Sequence, residues 1–129
     1  MYPEHLRYTR EHEWALQEGN RVRVGITHFA QQELGDVVYV ELPAPGTAVQ
    51  QGQRFAVVES VKAVSDIYAP VSGTVVEVNG RLSTEPELLN RDPYGEGWIC
   101  LLELSNPAEL ETLLSAAEYR QLIGAGGGT

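Results

Sequence analysis

Lysine is almost absent from this chain of 129 residues: only Lys62 occurs, and the other eight basic residues are arginine. The amine lies in Glu59-Ser60-Val61-Lys62-Ala63-Val64-Ser65-Asp66, between the apolar runs Phe55-Ala56-Val57-Val58 and Ile67-Tyr68-Ala69. An arginine-rich composition accounts for the scarcity of lysine but not for the position of the one that remains. Cysteine is equally scarce. Cys100 alone forms no intramolecular disulfide and no cysteine-based metal site, and its place in Trp98-Ile99-Cys100-Leu101-Leu102 reads as a buried inert thiol. Long hydrophobic runs are missing too. No window approaches the roughly 20 apolar residues of a membrane span, and Met1-Tyr2-Pro3-Glu4-His5-Leu6-Arg7 has no signal-like apolar core. A reduced, cytoplasmic setting is expected.

Basic stripes are absent. A net charge of −9, spread along the chain, excludes the phosphate neutralisation on which nucleic-acid binding depends. It disfavours anionic membrane surfaces as well, whereas protein partners with basic patches suit it. There is no Gly-x-Ser-x-Gly, Walker loop or His-Glu-x-x-His. Glu11-His12-Glu13 clusters ligand-capable side chains, but strand alternation would separate His12 from its neighbours, and His5 and His28 have no evident metal partners. No metal site and no enzymatic constellation are expected.

What is present reads as β-structure. Arg21-Val22-Arg23-Val24-Gly25-Ile26 alternates like a half-buried strand, with Glu13 to Leu16 as its hairpin partner across Glu18-Gly19-Asn20. Thr27 caps a short helix, His28 to Leu34, which Gly35 stops. Strands are expected at Val37 to Leu42, Thr47 to Val49, on both sides of Lys62, Thr74 to Val78 and Trp98 to Leu104. Short helices are expected at Thr84 to Leu89, from Asn106 with Leu110, Leu113 and Leu114 inward, and from Ser115 with Tyr119, Leu122 and Ile123 inward. Residues 1–123 then make a single domain and 124–129 a flexible glycine-rich tail. Gly46-Thr47-Ala48-Val49 and Gly73-Thr74-Val75-Val76 form a faint echo with Lys62 near its midpoint, as in two quasi-repeated β-halves meeting at a hairpin.

A solitary amine at a hairpin tip suits a covalently carried prosthetic arm. A Schiff-base lysine needs a pKa well below about 10.4, from burial or a neighbouring cation. Lys62 has Glu59 and Asp66 close in sequence instead. An amine acylated by a separate enzyme tolerates that setting.

The segment from Glu59 to Asp66 resembles the lipoylation motif of the glycine cleavage system H proteins. The resemblance extends through His12-Glu13-Trp14, Gly25-Ile26-Thr27, Ala30-Gln31, Leu34-Gly35-Asp36-Val37-Val38, Glu41-Leu42-Pro43 with Gly46, and Pro70-Val71-Ser72-Gly73. It continues through Asn79, Leu89-Asn90, Pro93-Tyr94-Gly95 and Gly97-Trp98, covering the chain to about Arg120. It implies a mainly β, lipoyl/biotinyl-type sandwich or flattened barrel with short helices, including a C-terminal helical segment. It also implies a carrier rather than an enzyme, with lipoate in amide linkage to Lys62. The arm would take an aminomethyl group from a pyridoxal-phosphate glycine decarboxylase to a folate-dependent aminomethyltransferase. Dihydrolipoamide dehydrogenase would reoxidise the arm, and a lipoylating enzyme would attach it.

A loaded arm ends in an ammonium, which calls for carboxylate acceptors and shelter from water. Asp66 and Glu13 stand where the family has groups of this role, and Glu11 is a third candidate where a small hydroxyl residue is common. Glu59, Ser60, Val61 and Ala63 flank the target and are expected to guide the lipoylating enzyme. His28-Phe29 departs from the family's usual aspartate followed by histidine or tyrosine, which argues against a histidine lining the cleft. Biotinyl domains place methionines beside the lysine, and dehydrogenase lipoyl domains an aspartate before it, where Val61 and Ala63 stand here. A lipoyl relay using the same lysine stays open. A carrier that enters several active sites is expected to be monomeric.

Overall fold

The computed structural model describes residues 1–124. Two antiparallel sheets carry the fold. The first strands are β1 (Arg7–Tyr8), β2 (Glu13–Glu18) and β3 (Arg21–Ile26), followed by helix α1 (His28–Leu34) and β4 (Val37–Glu41). Then come β5 (Ala48–Val49), β6 (Arg54–Ser60), β7 (Val64–Tyr68) and β8 (Gly73–Val78). A 3₁₀ turn at Gly80–Ser83, α2 (Leu88–Arg91) and β9 (Cys100–Leu104) lead to a 3₁₀ segment, Pro107–Thr112, and α3 (Ala116–Ile123). One sheet has the order β1-β2-β3-β9-β8-β5 and the other β4-β6-β7.

Alternation sets the core. Val22, Val24 and Ile26 of β3 and Val58 of β6 are fully buried and share one apolar cluster with Val40, Ile67, Val75, Leu89 and Leu102. Complete burial of each such side chain contributes roughly 1.5–3 kcal/mol. A second cluster holds Tyr2, Leu6, Tyr8, Trp14, Ala116 and Tyr119. The Trp14 indole donates to the Pro93 carbonyl at 3.0 Å. A Cβ on Gly25 would come within 2.6 Å of that indole, so β3 lacks a side chain where β2 places its largest one.

The mainly β sandwich with short helices is thus present, and the two echoing segments lie side by side, Ala48 opposite Thr74 and Val49 opposite Gly73. Several helical expectations change. Asn79 accepts from the Arg81 amide and starts a 3₁₀ turn, so Thr84 ends that turn and α2 begins later, at Leu88, without a side-chain cap. Asn106 does cap its segment, but the segment is 3₁₀ rather than α. Its expected apolar face is interrupted because Leu114 exchanges both backbone hydrogen bonds with Tyr8, each at 2.8 Å. α3 starts and stops as the sequence indicates: Ser115 and Glu118 form a reciprocal capping box and Gly124 closes the helix in the left-handed conformation. Of its expected inward residues, Tyr119 is fully buried and Ile123 packs on the second cluster, but Leu122 is 42% exposed. Of the expected tail, 125–129 lies outside the described residues.

Candidate functional site

Lys62 occupies the tip of the β6–β7 hairpin, as expected, with Val61 and Ala63 exposed on either side. The turn is held without burial. The Ser60 amide donates to the Ala63 carbonyl at 2.8 Å, while the Ser60 hydroxyl accepts from the Lys62 and Ala63 amides at 3.3 and 3.1 Å. Ser60, expected as a recognition residue, therefore also builds the turn itself. The Val61 amide donates to the Asp36 carbonyl at 3.0 Å, tying the tip to the junction between α1 and β4.

That junction turns at Gly35, with φ 76° and ψ −157°, a region essentially reserved for glycine. A Cβ there would lie 3.5 Å from Lys62 Cε, so the lysine stem passes over the glycine. Asn90 secures the same junction from α2. Its Nδ2 donates to the Gly35 carbonyl at 2.8 Å and to Gln31 Oε1 at 3.1 Å, and its Oδ1 accepts from the Val37 amide at 2.9 Å. Sequence reasoning gave Asn90 no such duty; an asparagine in a short apolar helix was the available signal.

A groove of about 360 Å³ begins beside the lysine. Ala63, Val64, Ser65 and Ile67 supply the hairpin side, and Ile26, Phe29, Ala30 and Leu34 supply apolar surface from β3 and α1. Its ionisable members are Glu11, His12 and Glu33. His12 thus corrects the expectation that no histidine lines the cleft: it precedes β2, in the left-handed region at φ 76°, rather than on a strand. His12 Nδ1 lies 2.8 Å from the Tyr119 hydroxyl, and its ring packs 4.7 Å from that of Phe29. Burial lowers the imidazole pKa, against a smaller opposing pull from Glu11 and Glu33. Glu33 is a groove carboxylate that the sequence reading did not single out.

The three expected acceptor carboxylates occupy three different settings. Glu11 sits at the boundary and lines both this groove and a neighbouring one of about 310 Å³. Glu13 lines only the neighbour. It is 1% exposed and accepts from the Thr9 hydroxyl and, at 3.1 Å, from the Tyr68 amide of β7. Burial pushes its carboxyl up to about 7 while those two hydrogen bonds pull it down. Asp66 lines neither groove; its carboxylate lies 3.6 Å from Arg54 NH1 across the hairpin. Among the described residues no ion pair joins Lys62 to Glu59 or Asp66, so the carboxylates near it in sequence do not clamp its amine. The same residues contain no cluster of three or more side chains fit to hold a metal. No described helix is long and apolar enough to cross a membrane.

An acylating enzyme can reach the lysine, and an apolar chain attached to it would find apolar walls at once, in a groove that Glu11 and Glu33 also line. A lipoyl group fits these residues. Comparison with known proteins agrees with the geometry. The family model of the glycine cleavage H-protein matches residues 6–125. A glycine cleavage system H protein of Symbiobacterium thermophilum is 63% identical over 117 residues, 91% of each chain. A probable glycine cleavage system H protein of Haloarcula marismortui is 57% identical over 121 residues, 94% of this chain and 95% of the other. The crystal structure of a glycine cleavage system H protein from Mycobacterium marinum superposes with a TM-score of 0.87 at 41% identity, covering 95% of this chain and 98% of that one. The chain belongs to the glycine cleavage H-protein family.

Proposed function

We propose that this chain is the lipoyl-carrying shuttle of the glycine cleavage system, with lipoate attached to Lys62, and that it acts as a covalent co-substrate rather than as an enzyme. The observation that carries the reading is the exposed Lys62, without an ion pair among the described residues, at a hairpin tip beside an apolar groove that opens at Ala63. Lipoate there supplies a dithiolane that carries the aminomethyl group of glycine between partner enzymes.

The chain's own residues do the rest. Ser60 and Asp36 hold the tip in shape, and Gly35 gives the lysine stem a passage. Val61 and Ala63, small and exposed, let a lipoylating enzyme close around the amine, with Glu59 at the strand end as a charged landmark. Ile26, Phe29, Ala30, Leu34 and Ile67 shelter an apolar arm, while Glu11 and Glu33 offer acceptors for a terminal ammonium. Glu13 contributes as a pin between β2 and β7, and Asp66 as a charged group on the hairpin surface. The net charge of −9 favours docking on basic patches of the decarboxylase, the aminomethyltransferase and dihydrolipoamide dehydrogenase. Cys100, buried with its thiol pushed up to about 12, takes no part in thiol exchange, and we place the chain in the cytoplasm.

The test is intact mass after incubation with lipoate, ATP and a lipoate ligase, alongside Lys62→Arg. One lipoyl addition that disappears in the variant, followed by glycine-dependent loading with the decarboxylase, is expected. No addition to the folded wild type, with a working acceptor in parallel, would sink the assignment.

A further inference from the structure

Behind the groove wall runs a chain of hydroxyls that the carrier reading does not use. Thr27 is fully buried and caps α1, its Oγ1 accepting from the Ala30 amide. The same oxygen lies 2.8 Å from the Tyr119 hydroxyl, which in turn lies 2.8 Å from His12 Nδ1. Tyr119 is fully buried on α3, stacked against Tyr8 at 4.7 Å. The direction of the chain follows from its first member. With the Ala30 amide already on its oxygen, the Thr27 hydroxyl has, among the described residues, one remaining neighbour to which its proton can go, Tyr119. Tyr119 then donates onward to His12 Nδ1. The reverse direction would strand the Thr27 proton in a buried site.

We propose that Tyr119 is a positioning residue for the groove beside Lys62, fixing His12 as the neutral tautomer with its proton on Nε2. This rests on reading that groove as the shelter of a lysine-borne arm. The consequence is electrostatic. His12 carries the only side-chain N–H among the groove-lining residues, and the groups around it are Glu11 on its own turn, Glu33 on α1, Tyr119 on α3 and the uncharged Ala63, Val64 and Ser65 of the hairpin. A neutral imidazole gives an acceptor atom of the arm a donor while adding no positive charge against a terminal ammonium. Protonation of Nδ1 would force the whole hydroxyl chain to reverse, so the fold itself holds the groove acidic. Since Thr27 caps α1 and His12 leads into β2, the same three hydroxyl and imidazole groups tie both segments to the C-terminal helix.

The experiment uses ¹⁵N-histidine-labelled full chain, unmodified, with Tyr119→Phe and Tyr8→Phe. Tyr8 donates to the Pro3 carbonyl and belongs to the same stack, so its variant removes a hydroxyl from the cluster without touching His12. Wild type and Tyr8→Phe are expected to show an unprotonated Nδ1 and a protonated Nε2. Tyr119→Phe is expected to show mixed tautomers and a higher His12 pKa, since a donor to the neutral ring has gone. A wild-type His12 protonated on Nδ1, or a Tyr119→Phe spectrum matching wild type, would overturn the proposal. On lipoylated, glycine-loaded protein, release of the aminomethyl group to water is expected to be several-fold faster in Tyr119→Phe than in Tyr8→Phe; equal rates would overturn the positioning role. The nitrogen shifts decide the tautomer on the unmodified chain, and mass gain at Lys62 decides the carrier reading separately.

Discussion

The hairpin tip lines the groove beside Lys62 and the aromatic cluster backs its His12 and Phe29, yet the two hold their shapes by different means. At the tip, Val61 and Val64 are 69% and 68% exposed, and order comes from backbone amides and the Ser60 hydroxyl. In the cluster, Tyr8, Trp14 and Tyr119 are wholly buried, with their polar atoms bonded to Pro3, Pro93, Thr27 and His12. A tip built without burial can be engulfed by one enzyme after another and lose nothing it needs. The cluster cannot be engulfed, and so can serve as the fixed backing of the groove wall at His12 and Phe29. Local stability should be low at the first and near the global value at the second.

Removing the centre of the aromatic cluster behind that wall has the largest expected effect. Trp14→Ala deletes a fully buried ring, leaves the Pro93 carbonyl without its donor and opens a void above Gly25. A loss of about 3–5 kcal/mol in urea unfolding is expected. A cost below about 1 kcal/mol would show that the cluster is no more rigid than the tip.

Glu13 joins the two regions, since it starts β2 and accepts from the Tyr68 amide at the end of β7. Burial raises its carboxyl from 4.5 to about 7. The folded chain therefore holds that proton more tightly than the unfolded chain does. The sign follows: this contribution is most favourable below about 4.5 and declines as pH rises through about 7, by up to about 3 kcal/mol. The depressed Glu118 carboxyl works in the opposite sense, but below 4.5, outside this window. The lowered His12 imidazole also works in the opposite sense, and within the window, since the unfolded chain binds its proton more tightly below 6.5; it offsets part of the Glu13 contribution. Urea midpoints should fall from about pH 5 to about pH 8 in wild type, and Glu13→Gln should remove the Glu13 part and leave the opposing His12 trend. An unchanged slope in the variant would mean that Glu13 is not the joint.

The tip was far more legible in the sequence than the wall. Strand alternation, one lysine and its flanking residues are local signals; they gave β3 its observed bounds and located the β6–β7 hairpin, whose strands run closer to Lys62, to Ser60 and from Val64, than the apolar runs Phe55 to Val58 and Ile67 to Ala69 indicate. Thr27 and Gly35 announced α1, and Ser115 with Glu118 announced α3, because capping is decided within a few residues. The wall depends on partners far apart in the chain. His12 and Tyr119 are separated by 107 residues, and nothing local says that an imidazole before β2 will meet a hydroxyl from the last helix. Asp66 follows Lys62 closely in sequence, but strand pairing sets it diagonally across from Arg54, whose guanidinium lies 3.6 Å from its carboxylate. Leu113 and Leu114 fitted a helical face until β1 offered Leu114 a backbone partner. Tertiary pairing overrode local preference in each case.

The smallest expected effect is the one that separates the two regions most cleanly. Ser60→Ala removes the oxygen that accepts from the Lys62 and Ala63 amides but leaves the Ser60–Ala63 backbone bond and the Val61–Asp36 bond in place. Both freed amides lie at an exposed turn, where water replaces the hydroxyl, so the cost is expected at about 0.5–1 kcal/mol, or about 2–4 °C in Tm. Hydrogen exchange should quicken at Lys62 and Ala63 and stay unchanged along β2 and β3. That pattern would mark the tip as a local unit that opens without disturbing the wall. Faster exchange reaching Trp14 and Gly25 would instead make tip and wall one cooperative unit, and a partner closing around Lys62 would then strain the shelter it has to reach.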